Sequence, residues 1–363
     1  MQDPTPTPVR SRHQFAVRRL VAVALACAMA APSLVGTASQ APARELPARL
    51  GDQEFWKLSE ELSEPGGTFR SDNLLSNEIG FPPVIGDLVA RVKPGGVYMG
   101  VGPEQNFHYI VAIKPRMVFI TDVRRGNLHL QLMYKALFEL SADRSEFVSR
   151  LFTKPKQPAV DVKSSAGELM NAYFEATAGD EAAYKANLQA IYDLLEKKHG
   201  FPLSADDRTG IDYVYHNFYF FGPGITYSSS SSGQQGGRTT YHTLMTAPDA
   251  SGVGRSYLAS EESFLFLKDL ETRNLLVPVV GNFGGPKAIR AVGKYIRDHG
   301  ATVTAFYLSN VEQYLTQDGL WSTFCANVAT LPLDDASTFI RSRGGMWLGP
   351  MLSEVKGCVG TGL

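Results

Sequence analysis

Two glycines at the end of an apolar run, Gly100 and Gly102, are followed twenty residues later by Asp122, which closes a second apolar run. This spacing leaves room for one helix between two strands. Residues 96–101 read as a buried strand: short, apolar and ended by glycine. Gly102-Pro103 turns the chain, and Pro103 suits the first position of a helix, where its missing N–H would be unpaired anyway. A helix over 104–113 is stopped by Lys114-Pro115. Residues 117–121 form a second strand, closed by Asp122. A long helix over 127–140 carries Leu128, Leu132, Tyr134, Leu137 and Phe138 at helical spacing. Strand, helix, strand, helix in this order predicts a parallel sheet with right-handed crossovers.

The second half repeats the rhythm. Residues 275–280 read as a strand, and Pro278 argues for an edge or a bulge there. A glycine-rich turn over 281–286 leads into a helix over 287–299 that Gly300 caps. A strand over 302–308 follows, then a helix from Ser309-Asn310 through residue 315. Residues 324–333 suggest one more strand. Before the first strand, residues 52–92 read as helices and turns, with an amphipathic stretch over 54–62. Between the halves, residues 144–200 form a helical insertion or cap. Residues 212–221 suit a strand or a buried helix, and 261–270 a helix. Residues 228–237, five serines and then Gly-Gln-Gln-Gly-Gly, read as a flexible loop, either a mobile lid or passive surface. The expected fold is α/β: a Rossmann-like three-layer sandwich over 51–363, with a mostly parallel sheet and a helical insertion at about 144–200.

The first 50 residues differ from the rest. Arg10, Arg12, Arg18 and Arg19 precede an uncharged apolar stretch over 20–35, and small residues Gly36 and Ala38 permit cleavage after 38. This is the pattern of a secretory signal over 1–38, followed by a linker over 39–50. The expectation is an exported protein with no membrane span in the mature chain; the alternative is a protein held by an uncleaved anchor. Lysine and arginine number 35 against 36 aspartates and glutamates, which argues against a nucleic-acid binder; the partner expected is a small molecule. Cys325 and Cys358 remain after signal removal and either pair or stay as buried thiols. Neither lies in a CxxC or a Cys/His cluster, so no cysteine-based zinc site is expected.

Three constellations carry possible chemistry. The first is Gly100, Gly102 and Asp122. Glycines admit a ligand close to the backbone, and an aspartate at the next strand end can accept from two ribose hydroxyls. Gln105 replaces the third glycine of a dinucleotide fingerprint, and Glu104 puts negative charge where a pyrophosphate would sit. A cofactor without phosphate, such as S-adenosylmethionine, is expected instead. The second is Arg124 with Arg125, which could clamp a carboxylate or phosphate, or else pair with Glu104 or a helix. The third is Asn282, Asn310, Glu312 and Tyr314, just past two strand ends, where open α/β sheets place their ligands. Asn310 could instead cap a helix, and Glu312 could serve a helix dipole. His216 beside Asp212 and Tyr213 suits either acid–base work or packing. No HxxxH, HExxH, GxSxG or Walker A sequence occurs.

Residues 98–106 (Tyr-Met-Gly-Val-Gly-Pro-Glu-Gln-Asn), followed by Phe-Ile-Thr-Asp over 119–122, resemble the first two motifs of class I S-adenosylmethionine-dependent methyltransferases. Residues 96–152, with 281–315, are similar to a bacterial family of methyltransferase-like proteins. The resemblance implies a methyltransferase-like protein that binds S-adenosylmethionine or a related nucleoside. Gly100 and Gly102 would face the methionine part and Asp122 the ribose, with Glu104, Gln105 and Arg124 beside them. Asn282, Asn310 and Tyr314 would meet the substrate. Tyr98 stands where that family has an acidic residue. The alternative is an exported binding or structural protein of the same fold that performs no chemistry.

Overall fold

The computed structural model describes residues 45–232 and 238–360. The expected signal sequence over 1–38, residues 39–44 of the expected linker and the glycine-rich half of the serine run, 233–237, lie outside the described residues.

Two helices, α1 (Asp52–Leu62) and α2 (Pro82–Arg91), precede the sheet. Strand β1 (Val97–Val101), helix α3 (Gln105–Ile113), strand β2 (Met117–Asp122) and helix α4 (Arg125–Leu140) then follow, in the order expected from the glycine spacing. Helix α3 begins two residues after Pro103, so the proline lies in the turn and not at the first helical position. The chain stays helical through α5 (Arg144–Leu151), α6 (Ala166–Glu175), α7 (Glu181–Tyr192), α8 (Ala205–Phe221), α9 (Tyr241–Thr246) and α10 (Glu261–Thr272). This helical stretch therefore runs well past residue 200, and 212–221 belong to a helix. Strand β3 (Leu276–Val280), helix α11 (Ala288–Asp298), strand β4 (Val303–Ser309) and helix α12 (Val311–Gln317) complete the second half of the pattern.

The chain then departs from expectation. Residues 324–333 are no strand, because most of the apolar run belongs to helix α13 (Trp321–Val328). Phe324, Cys325, Val328 and Leu331 lie inward at a spacing that suits a helix. The last strands are β5 (Thr338–Ser342) and β6 (Met346–Pro350), with helix α14 (Met351–Gly360) at the end.

The six strands form one sheet in the order β3-β2-β1-β4-β5-β6. All pairings are parallel except β5 with β6. Every residue of β1, β2 and β3 is buried, and so is every residue of β4 but the last. Parallel strands with both faces covered are apolar throughout instead of alternating, which explains their legibility as apolar runs. The chain steps from β1 to one side and returns on the other through β4, so the strand order reverses between β1 and β4. Crevices for ligands open at the carboxyl ends of the strands at such a reversal.

Strand β3 is an edge strand, as Pro278 predicts. Its outward groups are met by α1 and the chain that follows it. Ser59 Oγ donates to the Pro278 carbonyl at 2.5 Å, Val280 N–H donates to Ser63 Oγ at 2.9 Å, and Glu64 N–H donates to the Val280 carbonyl at 2.7 Å. Proline's missing N–H would have pointed the same way, so nothing there is left unpaired.

Leu46 and Leu50 are buried, and Leu50 N–H donates to the Arg273 carbonyl at 3.0 Å, so residues 46–50 pack on the fold where a linker was expected. Cys325 and Cys358 form a disulfide that ties α14 to α13 across 33 residues. A loop of that length stabilises the fold by roughly 3–4 kcal/mol in the chain-entropy account. Among the described residues no helix is long and apolar enough to cross a membrane.

Candidate functional site

A cleft of about 600 Å³ opens at the carboxyl ends of β1, β2 and β4. Six of the nine residues that the resemblance assigns to cofactor and substrate line it: Gly102, Asp122, Arg124, Asn282, Asn310 and Tyr314. Gly100, Glu104 and Gln105 do not.

Gly100 is required for a reason internal to the protein. A Cβ there would lie 1.8 Å from Asn106 Oδ1 and 3.0 Å from the Tyr98 ring. Asn106, the second residue of α3, reaches back under the turn. Its amide donates to the carbonyls of Val101 (2.9 Å) and Pro103 (2.7 Å), while Tyr98 donates to its oxygen at 3.0 Å. Gly100 therefore makes room for the side chain that shapes the turn, not for a ligand. Tyr98, the departure from the methyltransferase pattern, serves the same purpose. Gly102 does border the cleft, and its φ of +74° is the left-handed conformation that glycine adopts without cost. Nothing in the glycine spacing singles out Asn106; only its closeness to Gly100 in three dimensions shows the link.

Glu104 lies behind the turn, fully buried, with Ser76 N–H donating to its carboxyl at 3.2 Å. Burial pushes its pKa up to about 8, against the opposing pull of the Ser76 bond. It is thus neutral near pH 7 and places no charge at the cleft. Gln105 is also buried, donating to the Tyr109 hydroxyl at 3.1 Å. Because the folded state holds the Glu104 proton above its ordinary value of 4.5, stability falls as pH rises from about 4.5 to about 8. Glu104→Gln keeps the acceptor for Ser76 and cannot ionise. Melting temperatures across that window are expected to fall less steeply in the variant, and parallel curves would show that Glu104 does not titrate there.

Asp122 ends β2 and is fixed by Arg124: the backbone N–H of Arg124 donates to Oδ1 at 2.8 Å, and Nη2 lies 3.2 Å from Oδ2. Arg124 also donates to the carbonyl of Asp72. Its partners are thus Asp122 and the segment above it, not Glu104 or a helix. Arg125 turns away and binds Asp207 of α8 through Nε (2.7 Å) and Nη2 (3.0 Å), so the expected alternative of a pairing with a helix holds for Arg125. Asn282 turns its side-chain oxygen to Gly284 N–H at 2.9 Å. Asn310 precedes α12 without making a side-chain cap. Glu312 pairs with Arg341 at 2.9 Å and lies off the cleft. His216 is exposed on α8 against Tyr184 and Phe220, in a separate groove with Asp212 and Tyr213.

The second glycine-rich turn, 281–286, has the form of an anion cradle, and the protein fills it itself. Glu64 accepts from the N–H groups of Lys287 (2.8 Å) and Ala288 (2.7 Å) at the start of α11. A Cβ on Gly285 would come within 2.3 Å of Glu64 Oε2.

Sequence reasoning missed the roof of the cleft. The irregular segment over 63–81 crosses the strand ends and lines the site with Phe69, Arg70, Asn73 and Ser76. It is fixed by Gly67 N–H to the Val123 carbonyl (2.7 Å), Arg70 to the Tyr314 hydroxyl (2.7 Å) and Leu74 N–H to the Tyr227 carbonyl (2.7 Å). The serine run adds a wall. Ser228, Ser231 and Ser232 are buried, and the Ser228 carbonyl accepts both N–H and hydroxyl donors from Ser231 and Ser232 at 3.0 Å. Residues 228–232 are therefore a self-satisfied polar knot, where a flexible loop was expected.

A family model described as a domain of unknown function (DUF7790) matches residues 75–351. No curated protein matches the chain. The matched stretch holds all six strands and both glycine-rich turns, and the chain belongs to that family.

Proposed function

We propose that the cleft binds S-adenosylmethionine or a related nucleoside, within an exported Rossmann-like three-layer domain. The observation that carries this reading is the meeting of Gly102 and Asp122 across two strand ends: a Cβ on Gly102 would be 3.9 Å from Asp122 Oδ2. Backbone at positive φ beside a carboxylate gives a ligand close main-chain approach on one side and an acceptor for ribose hydroxyls on the other. The volume suits a nucleoside, since small-molecule sites span roughly 300–1,000 Å³. Phe69 and Tyr314, in edge contact at 5.0 Å, line the same cleft and offer ring faces to a base.

The residues present favour a ligand without phosphate. The first turn of α3 lies behind buried Glu104 and does not line the cleft, and the start of α11 is filled by Glu64. S-adenosylmethionine, when bound, would supply an electrophilic methyl group. The role of this chain would be to orient the ribose through Asp122 and to hold Asp122 in place through Arg124.

The second reading, a binding protein without turnover, is favoured by the lining of the cleft. No histidine, lysine or cysteine is among the described residues that form it, and of its carboxylates Asp122 is bound to Arg124, which leaves Asp318 and the tyrosines as the groups that could take a proton. Calorimetric titration of S-adenosylmethionine into the protein starting at Ser39 is the test. Binding weakened at least about tenfold by Asp122→Ala supports the nucleoside site, a change of about 1.4 kcal/mol. A folded protein that takes up neither S-adenosylmethionine nor adenosine refutes it. Binding without product in any methyl-transfer assay selects the second reading.

A further inference from the structure

Glu78 lies just under the β4 side of the cleft. Tyr307 and Ser309 are two residues apart on β4, so their side chains leave the strand on one face, and both point at this carboxylate. The Tyr307 hydroxyl donates to Oε2 at 2.6 Å, and the Ser309 hydroxyl donates to Oε1. Ser309 holds a φ of +50°, a left-handed conformation uncommon for serine, at a point where the pairing of β4 with β5 shifts register. Such strain at a strand end marks places where the surrounding structure fixes a side chain for use. Tyr307 and Ser309 both line the cleft.

Two consequences follow from elementary chemistry. Each hydroxyl has one proton, and both protons are committed to Glu78. Toward the cleft the two oxygens can therefore only accept, which selects a ligand that donates. Glu78 also has no countercharge. The groups that face it are Tyr98 of β1, Tyr109 of α3, Tyr307 and Ser309 of β4, and Ser342 of β5, none of them cationic. Glu78 keeps only part of its surface in water, and a carboxylate so placed gains from a nearby cation or from a proton. Burial raises the Glu78 pKa, which favours the proton when nothing else is near. Among the described residues no group of three or more His, Cys, Asp or Glu could hold a metal ion.

We propose that the β4 side of the cleft is a subsite for a primary ammonium group, accepted by the Tyr307 and Ser309 oxygens with the Glu78 carboxylate as its countercharge. An ammonium group beside Glu78 opposes its raised pKa, so uptake releases protons to solvent over the pH range in which Glu78 titrates. This subsite does not depend on the nucleoside reading, because it uses none of Gly102, Asp122 or Arg124.

The probe is 2-phenylethylammonium, with 2-phenylethanol as the neutral match and 3-phenylpropanoate as the anion. Calorimetry in two buffers of different ionisation enthalpy reads affinity and proton release together. The ammonium is expected to bind at least about tenfold tighter than either match, the equivalent of about 1.4 kcal/mol, with buffer-dependent heat. Glu78→Gln should abolish both the preference and the proton release. Ser309→Ala, which keeps the carboxylate, should weaken ammonium binding while sparing the alcohol. Glu78→Gln removes a partly buried ionisable group whose pKa is raised by the fold, so its melting temperature should be no lower than that of the parent and certifies folding. Equal binding of the alcohol, no binding of the ammonium, or a preference that survives Glu78→Gln would each overturn the proposal. Titration of S-adenosylmethionine into Glu78→Gln and Asp122→Ala separates the two readings, since each variant is aimed at one of them.

Discussion

Lys135→Met is expected to lower unfolding free energy by about 3–5 kcal/mol, the usual loss when one partner of a buried ion pair is removed. Lys135 is buried on α4, 3.0 Å from Glu139 and 2.6 Å from the Asn274 side chain. Glu139 is shared with His199 at 3.0 Å, and His199 in turn meets Asp52 at 2.7 Å. Burial works to raise the Glu139 pKa, but hydrogen bonds from His199 and the charge of Lys135 hold it down to about 2. A depressed carboxylate gives stability that is present above its ordinary 4.5 and is lost as pH falls toward about 2. The deficit of Lys135→Met should therefore shrink on acidification through that window, as Glu139 takes a proton and needs no cation. Urea unfolding of parent and variant over the same pH range checks both statements. A loss under about 1 kcal/mol at neutral pH would mean the ammonium is not the support of this network.

Gly100→Ala is the second large effect, expected to cost about 3 kcal/mol or more, through an overlap that only Asn106 can relieve. The new Cβ would meet Asn106 Oδ1 at 1.8 Å and Cγ at 2.9 Å. If Asn106 swings away, its bonds to the Val101 and Pro103 carbonyls break, and each buried carbonyl left unpaired costs about 1–3 kcal/mol. The double variant Gly100→Ala/Asn106→Ala removes the overlap and should lose less than the two single losses together, by about 0.5–3 kcal/mol of coupling. Chemical denaturation of the four proteins measures the cycle. Strict additivity would place the constraint on Gly100 elsewhere, and a ligand contact would then become the better explanation of that glycine.

The contrast between Gly100 and Gly102 shows what the sequence could convey. Both stand at the carboxyl end of β1, one inside the strand and one just past it, and spacing alone treats them alike. One accommodates a neighbouring side chain and the other a positive φ, and only the second borders the cleft. Strands β1 to β4 were legible because burial on both faces makes them apolar runs, whereas β5, though parallel, was not, since Thr338, Arg341 and Ser342 interrupt its run. Strand β6 was not, since Trp347 and Pro350 are exposed and Gly349 interrupts the run. The apolar residues around 324–331 were ambiguous, because a short run does not reveal its own period. The segment over 63–81 escaped because its order comes from bonds to partners far along the chain, which have no local signature. The serine run misled for a related reason: hydroxyls that satisfy one another can be buried despite a polar composition.

The cover of β3 by α1 bears on where this protein can be cut. The family match begins at residue 75, after α1, Ser63 and Glu64, and ends at 351, before Cys358. A fragment trimmed to those limits would keep every strand yet uncover the outer backbone groups of Pro278 and Val280, empty the cradle at the start of α11 and lose the disulfide. An uncovered apolar edge invites the same edge of another chain, so such a fragment would tend to pair with itself and leave solution. The stretch that the family model matches is thus shorter than the stretch that covers the sheet, and the excess is what shields β3 from the same edge of another copy.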